Sequence, residues 1–204
     1  MNLLYVSLRP VGILLVKMLF RLRVTGQEHL PRRGAFILAS NHVSYLDPVI
    51  LGAASPRTLR FMARADLFRN PLFALLIRGL NAFSVKRDEQ DPASIRLALH
   101  HLRRGEVVVV FPEGGRSKSG DLEKGRPGIG LLAAHAKVPV IPVYLSGTDK
   151  ALPRQARFIR CHPVRAHFGA PLFFESSSPD HRRAYQAFAE QVMTALGEIK
   201  ALTK

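Results

Sequence analysis

Residues 106–111 (EVVVVF) constrain the fold more than any other stretch of this chain. Four successive valines are stiff at χ1 and suit extended backbone. No polar residue alternates with them, so both faces of such a strand must be covered. A central strand in a sheet with helices on both sides meets that demand. The flanking sequence supplies the other layers. Residues 35–40 (AFILAS) read as a second buried strand, 59–63 and 82–85 as short ones, and 140–145 and 164–168 as two more. Helical patterns fill the gaps at 47–54, 71–80, 92–104 and 128–136, with a terminal helix from Pro179 to about residue 200. Asp47-Pro48 and Asp91-Pro92 each read as an N-cap followed by proline at N1, and Ser178 as the N-cap of the last helix. This alternation predicts an α/β domain with a central mixed, largely parallel sheet flanked by helices. A length of 204 residues suits one such domain with a real core.

Residues 1–24 are apolar but broken by Arg9, Lys17, Arg21 and Arg23. The longest internal run without charge, 10–16, falls far short of the ~20 residues a spanning helix needs. No small-residue cleavage site follows, so a secretory signal is not expected. On a helical wheel Arg9, Lys17 and Arg21 share one sector, while Leu4, Leu8, Val11, Leu15, Met18 and Leu22 recur on another side. Pro10 is expected to break the helix or open a second one. The pattern suits an interfacial helix, apolar face in the acyl boundary and basic face toward headgroups. Packing on the domain's own core is the other reading. The expected organisation is a membrane-associating helical segment over 1–28 and an α/β domain over 29–204.

Charge narrows the partners. Lys and Arg number 30 against 15 Asp and Glu, a formal net charge of +15. Arginine dominates the cations, and its planar fork matches phosphate and carboxylate geometry. Nucleic acid, an anionic membrane and phosphorylated substrates all fit. Stacking platforms for nucleic acid are poorly supported: tryptophan is absent, and the 12 Phe and 4 Tyr fall mostly in apolar runs. No nucleic-acid partner is therefore expected. A lone cysteine, Cys161, excludes an internal disulfide framework and a Cys-based zinc site, and suits a reducing, cytosol-facing compartment.

Four short stretches could carry chemistry. Asn41 to Asp47 (NHVSYLD) follows a predicted strand, where α/β proteins build their sites. His42 could take a proton from a hydroxyl, with Asp47 fixing its tautomer if the loop turns back. Alternatively, Asp47 only caps its helix. Phe111 to Ser117 (FPEGGRS) follows the valine strand. Gly114 and Gly115 could open a nest of backbone N–H groups beside Arg116, with Glu113 orienting a hydroxyl or a cation; a plain tight turn is the alternative. Lys86-Arg87 at a strand end could grip a phosphate or simply be solvated. Residues 138–143 (VPVIPV) place Pro142 inside an apolar run, which suggests an edge strand or a bulge.

Together the four resemble the glycerolipid acyltransferase family, the 1-acylglycerol-3-phosphate acyltransferases and their relatives. The family pattern N-H-x-S-x-x-D, a segment ending in Arg, F-P-E-G-[ST]-R-S and V-P-[VI]-[IV]-P-V appears here in order over roughly residues 34–148. Lys124-Gly125 resembles a further family segment. The resemblance implies that His42 is the general base and Asp47 its partner. It implies that Arg87 and Arg116, with Lys86 beside them, hold an acceptor phosphate. Glu113 and Gly114 would place the glycerol backbone, and Pro139, Ile141 and Pro142 would line an acyl channel. The implied reaction moves a fatty acyl group from acyl-carrier protein or coenzyme A to the hydroxyl of 1-acylglycerol-3-phosphate, without an acyl-enzyme, a bound cofactor or a metal. The implied setting is the cytoplasmic face of the inner membrane. Two departures bear on the acceptor: Gly115 replaces the usual Thr or Ser, and Lys86 stands where Asp is common. Glycerol-3-phosphate, another lysophospholipid or a lyso-aminolipid are alternative acceptors, and a non-catalytic basic membrane-binding protein is the alternative of another class. Arg57, Arg60, Arg64, Arg69 and Arg78 are further candidates for docking a membrane or an acidic carrier protein.

Overall fold

The valine run forms one of the inner strands of a seven-stranded sheet. A computed structural model describes residues 3–79, 81–85, 92–117, 119–156, 158–176 and 178–203. The strands are β1 (Arg23–Thr25), β2 (Phe36–Ser40), β3 (Leu59–Arg64), β4 (Ala82–Val85), β5 (Val107–Val110), β6 (Val140–Ser146) and β7 (Arg165–Phe168). Their order is β1-β7-β6-β2-β5-β3-β4. All neighbours run parallel except β6 and β7, which are antiparallel. The helices are α1 (Leu3–Leu19), α2 (Asp47–Ala54), α3 (Pro71–Gly79), α4 (Pro92–Arg103), α5 (Gly128–Ala136), α6 (Thr148–Ala151) and α7 (His181–Leu202).

Side-chain alternation on the sheet builds two apolar layers. Phe36 and Leu38 of β2, with Val107 and Val109 of β5, face Ile50, Leu51 and Ala54 of α2. Ile37 and Ala39, with Val108, face α4, α5 and α7 through Leu99, Ile129, Leu132 and Phe188. Every residue of β2 is buried, Ser40 at its end included, as a strand covered on both faces requires. The two layers give the sheet a switch point. The chain leaves β2 through α2 toward β3, and leaves β5 through α5 on the other face toward β6. A crevice therefore opens between the carboxyl ends of β2 and β5, where α/β folds bind ligands.

Several expectations need correction. Helix α1 runs through Pro10 without a break. The helix at 47 has Leu46 at its cap position, and Asp47 is its first residue, because the Asp47 carboxylate turns back to the preceding loop. At α7 the cap is Asp180, whose Oδ1 accepts the N–H groups of Arg182 and Arg183, while Ser178 accepts from Asp180 instead. Asp91 lies outside the described residues. Pro142 is in an inner strand, paired with Ala39 of β2, not at an edge. It is tolerated because the other ladder is irregular there: β6 pairs Val143 with Phe168 and Val140 with Leu172, leaving one extra residue opposite Ile141 and Pro142. The expected bulge is real, and the Pro142 carbonyl accepts the Gly169 N–H at 2.8 Å.

Of the expected apolar side of α1, Val11, Leu15 and Met18 are more than half exposed, as is Leu14, while Val16, Phe20 and Leu22 pack on the core. No helix among the described residues is long and apolar enough to cross a membrane.

Candidate active site

The crevice is lined by the two loops that follow β2 and β5. Asp47 is fully buried, and its Oδ2 accepts three N–H groups: from the His42 ring Nδ1, Val43 N and Ser44 N, each at 2.8 Å. Two amides from the 42–47 loop thus hold the carboxylate, and the carboxylate holds the ring. With Nδ1–H given to Asp47, the imidazole presents Nε2 as the basic nitrogen. Phe111 stacks on one face of the ring, with centroids 4.0 Å apart and planes 19° apart. The dyad anticipated from spacing is therefore formed, with both its tautomer and its plane defined.

Glu113 joins the two loops. Its Oε1 accepts the His42 backbone N–H at 2.9 Å and its Oε2 accepts the Glu123 N–H at 3.0 Å. The Ser117 N–H closes the same junction on the His42 carbonyl at 2.8 Å. Burial raises the Glu113 pKa, against the opposing pull of these two amides. Its carboxylate thus braces the 42–47 loop from behind.

Only one of the paired glycines needs its freedom. Gly114 has φ 73° and returns its N–H to the Phe111 carbonyl, so the expected nest is a closed turn at that residue. Gly115 has no such torsion, and a Cβ there would meet nothing within 4 Å. Arg116 lies with its guanidinium carbon 3.6 Å from the centroid of the exposed Tyr45 ring. Its Nη1 is buried and has no partner among the described residues.

The remaining candidates separate. Lys86 and Arg87 lie outside the described residues; the chain reaches them from β4, whose carboxyl end is on the crevice edge of the sheet, two strands beyond β5. The structure does not bring Pro139, Ile141 and Pro142 to His42. Ile141 is wholly buried in the layer under α2, Pro142 is buried within β6, and Pro139 precedes β6 at the opposite edge of the sheet. Two of the arginines proposed for docking are also occupied. Arg57 donates to the carbonyls of Pro31, Gly34 and Gly105, and Arg60 forms a two-pronged pair with Glu106.

The family model described as Acyltransferase matches residues 21–146, the part of the chain that builds this crevice. The chain belongs to that family. The 1-acyl-sn-glycerol-3-phosphate acyltransferase of Bacillus subtilis (strain 168) is 32% identical over 126 residues, 61% of this chain and 62% of that protein. The lyso-ornithine lipid O-acyltransferase of Pseudomonas aeruginosa is 31% identical over 161 residues, 78% of this chain and 60% of that protein. The chain spans about three fifths of the length of both. Among solved structures, the 1-acyl-sn-glycerophosphate (LPA) acyltransferase, PlsC, of Thermotoga maritima superposes with a TM-score of 0.71 at 25% identity, covering 94% of this chain and 79% of that one.

In this acyltransferase-family chain three supports of the site escaped sequence reasoning. Asn41 makes a reciprocal pair with Leu145 of β6, Nδ2 to the carbonyl at 3.0 Å and Oδ1 from the N–H at 2.8 Å. Ser44 Oγ donates to the Leu152 carbonyl at 2.9 Å. Arg154 reaches back with Nη1 to the carbonyl of Arg116 at 3.1 Å. All three tie the motif loops to β6 or to the chain that follows it. Their partners are 38–108 residues away, so no local pattern marks them.

Proposed function

We propose that this protein transfers a fatty acyl group from an acyl thioester to the free hydroxyl of 1-acylglycerol-3-phosphate, forming phosphatidate. The observation that carries this reading is the His42–Asp47 pair at 2.8 Å, with the second ring nitrogen left for an acceptor hydroxyl. His42 Nε2 takes the hydroxyl proton as the oxygen attacks the thioester carbonyl carbon. The buried Asp47 carboxylate stabilises the imidazolium that forms. The tetrahedral intermediate collapses, the C–S bond breaks, and the departing thiolate takes the proton from His42. No step needs a covalent enzyme intermediate. The unpartnered Nη1 of Arg116 suits an anionic headgroup, and Arg87 and Lys86, next in sequence after β4, suit the phosphate. Acyl-carrier protein and coenzyme A thioesters are both compatible donors.

The exposed apolar side of α1 supports a peripheral position on the cytoplasmic face of the inner membrane, with residues 1–28 acting as the interfacial segment.

A second acceptor is favoured by one observation. Gly115 removes a hydroxyl beside Arg116, and the Pseudomonas aeruginosa relative carries the name of a lyso-ornithine lipid acyltransferase. An acceptor panel of lysophosphatidate, glycerol-3-phosphate and lyso-ornithine lipid, each with both donor types and read by mass spectrometry, tests the proposal. Phosphatidate as the main product is expected. Acylation of lyso-ornithine lipid alone would transfer the assignment to that acceptor, and no acylation of any acceptor would contradict the enzyme reading.

A further inference from the structure

The segment after β6 combines charge with apolar exposure in a way the catalytic reading does not use. Residues 150–174 contain no acidic side chain, while Lys150, Arg154, Arg157, Arg160 and Arg165 contribute five positive charges. Amid them Phe158 is 81% exposed and Ile159 58%.

The backbone on either side of this tip is fastened. The Ala156 N–H donates to the Pro153 carbonyl at 2.9 Å and the Arg160 N–H to the Ala151 carbonyl at 2.8 Å. The Val164 N–H donates to the Phe20 carbonyl at 2.8 Å, stitching the far end of the loop to the end of α1. Arg154 ties its near end to Arg116 in the site. An aromatic and a β-branched side chain are thus presented to solvent by a pinned loop, with Arg154 and Arg160 flanking them in sequence.

We infer that the 152–163 loop is a second membrane contact, inserting Phe158 and Ile159 into the acyl boundary of an anionic leaflet while its arginines meet lipid phosphates. This rests on the membrane reading given above. Apolar tips flanked by snorkelling arginines suit the headgroup boundary. The loop joins α1 just beyond the exposed Leu15 and Met18, so the two apolar surfaces arise from one junction. An acidic carrier protein would match the charge but leaves two exposed apolar side chains unexplained. A loop seated at the headgroups and bonded to Arg116 would also hold the crevice at the depth of a lysolipid headgroup.

Sedimentation of the full chain with vesicles of phosphatidylcholine, alone or mixed with phosphatidylglycerol, tests the inference. The double variant Phe158→Ser/Ile159→Ser should lower partitioning onto the mixed vesicles by about tenfold to a hundredfold. Its turnover of a short-chain, water-soluble acceptor should match the parent's, which also reports that it folds. Arg157→Gln/Arg160→Gln should weaken binding to mixed vesicles only. Parent-like partitioning of the apolar double variant overturns the inference. So does normal partitioning with loss of turnover on acyl-carrier-protein but not coenzyme A thioesters, which would make the loop a carrier dock. If the parent itself fails to bind vesicles while remaining active in detergent, the membrane reading falls with the loop and the acyl-transfer reading stands.

Discussion

At the scale of single residues, Asp47 has the most demanding position. One oxygen accepts three N–H groups at 2.8 Å in a fully buried setting. An amide in its place keeps the volume but loses the charge that, in the proposed mechanism, stabilises the imidazolium. Asp47→Asn should lower kcat by about 10²–10⁴-fold, with the acceptor KM little changed. Steady-state kinetics on the purified variant check this. Tyr45 acts through Arg116, whose guanidinium it carries at 3.6 Å. Losing the ring should raise the acceptor KM about 2–30-fold without a matching fall in kcat, the range of one cation–π contact. Tyr45→Ala should show that loss and Tyr45→Phe should restore the parent KM; a Phe variant as weak as the Ala variant would mean that the hydroxyl, not the ring, matters.

At the scale of elements, the fold depends on a close approach and a brace. A Cβ on Gly130 of α5 would stand 2.3 Å from the Tyr185 carbonyl oxygen and 2.6 Å from its Cα on α7. Gly130→Ala must push these helices apart, and a loss of about 1–3 kcal/mol in thermal or denaturant unfolding is expected. Glu113 braces the loops after β2 and β5, and its pKa is raised by burial. The folded state therefore binds this proton more tightly than the unfolded chain. The group's contribution is full below the ordinary carboxylate range and is lost as pH rises through the raised value. Glu113→Gln removes that slope from a plot of Tm against pH. It also leaves one of the two braced amides without an acceptor, a cost of about 1–3 kcal/mol.

Much at this scale was legible beforehand. The β-branched run at 107–110 and the apolar run at 36–40 name the central strands, because doubly covered strands cannot hide among polar residues. The ordered motifs named His42, Asp47, Glu113 and Arg116. The caps were misread because Asp47, Ser178 and Asp180 offer similar oxygens, and only the path of the chain decides which one turns inward. Strand β1 and helix α6 have three and four residues, too few for any periodicity. Arg154, Tyr45 and Phe111 act through contacts across loops, so their roles depend on the closed sheet.

At the scale of the molecule, a charge of +15 no longer points everywhere at once. Arg57 and Arg60 serve the far edge of the sheet, where β3 and β5 begin, through carbonyls and Glu106. The 150–174 segment concentrates cations beside exposed apolar side chains, and α1 adds an exposed apolar face. Binding to anionic vesicles should therefore fall steeply between 0.1 and 1 M salt, as the Debye length shrinks from about 10 to 3 Å. The apolar share should leave a salt-resistant remainder, seen as residual sedimentation at the highest salt.

The central claim is that His42 Nε2 removes the acceptor's proton. Its most direct measurement is acyl transfer by purified His42→Ala, with lysophosphatidate and saturating acyl thioester, in a preparation whose unfolding transition and vesicle binding match the parent. The expected result is loss of turnover by at least about 10²-fold at unchanged fold and binding. Turnover near the parent level in that variant would contradict the mechanism.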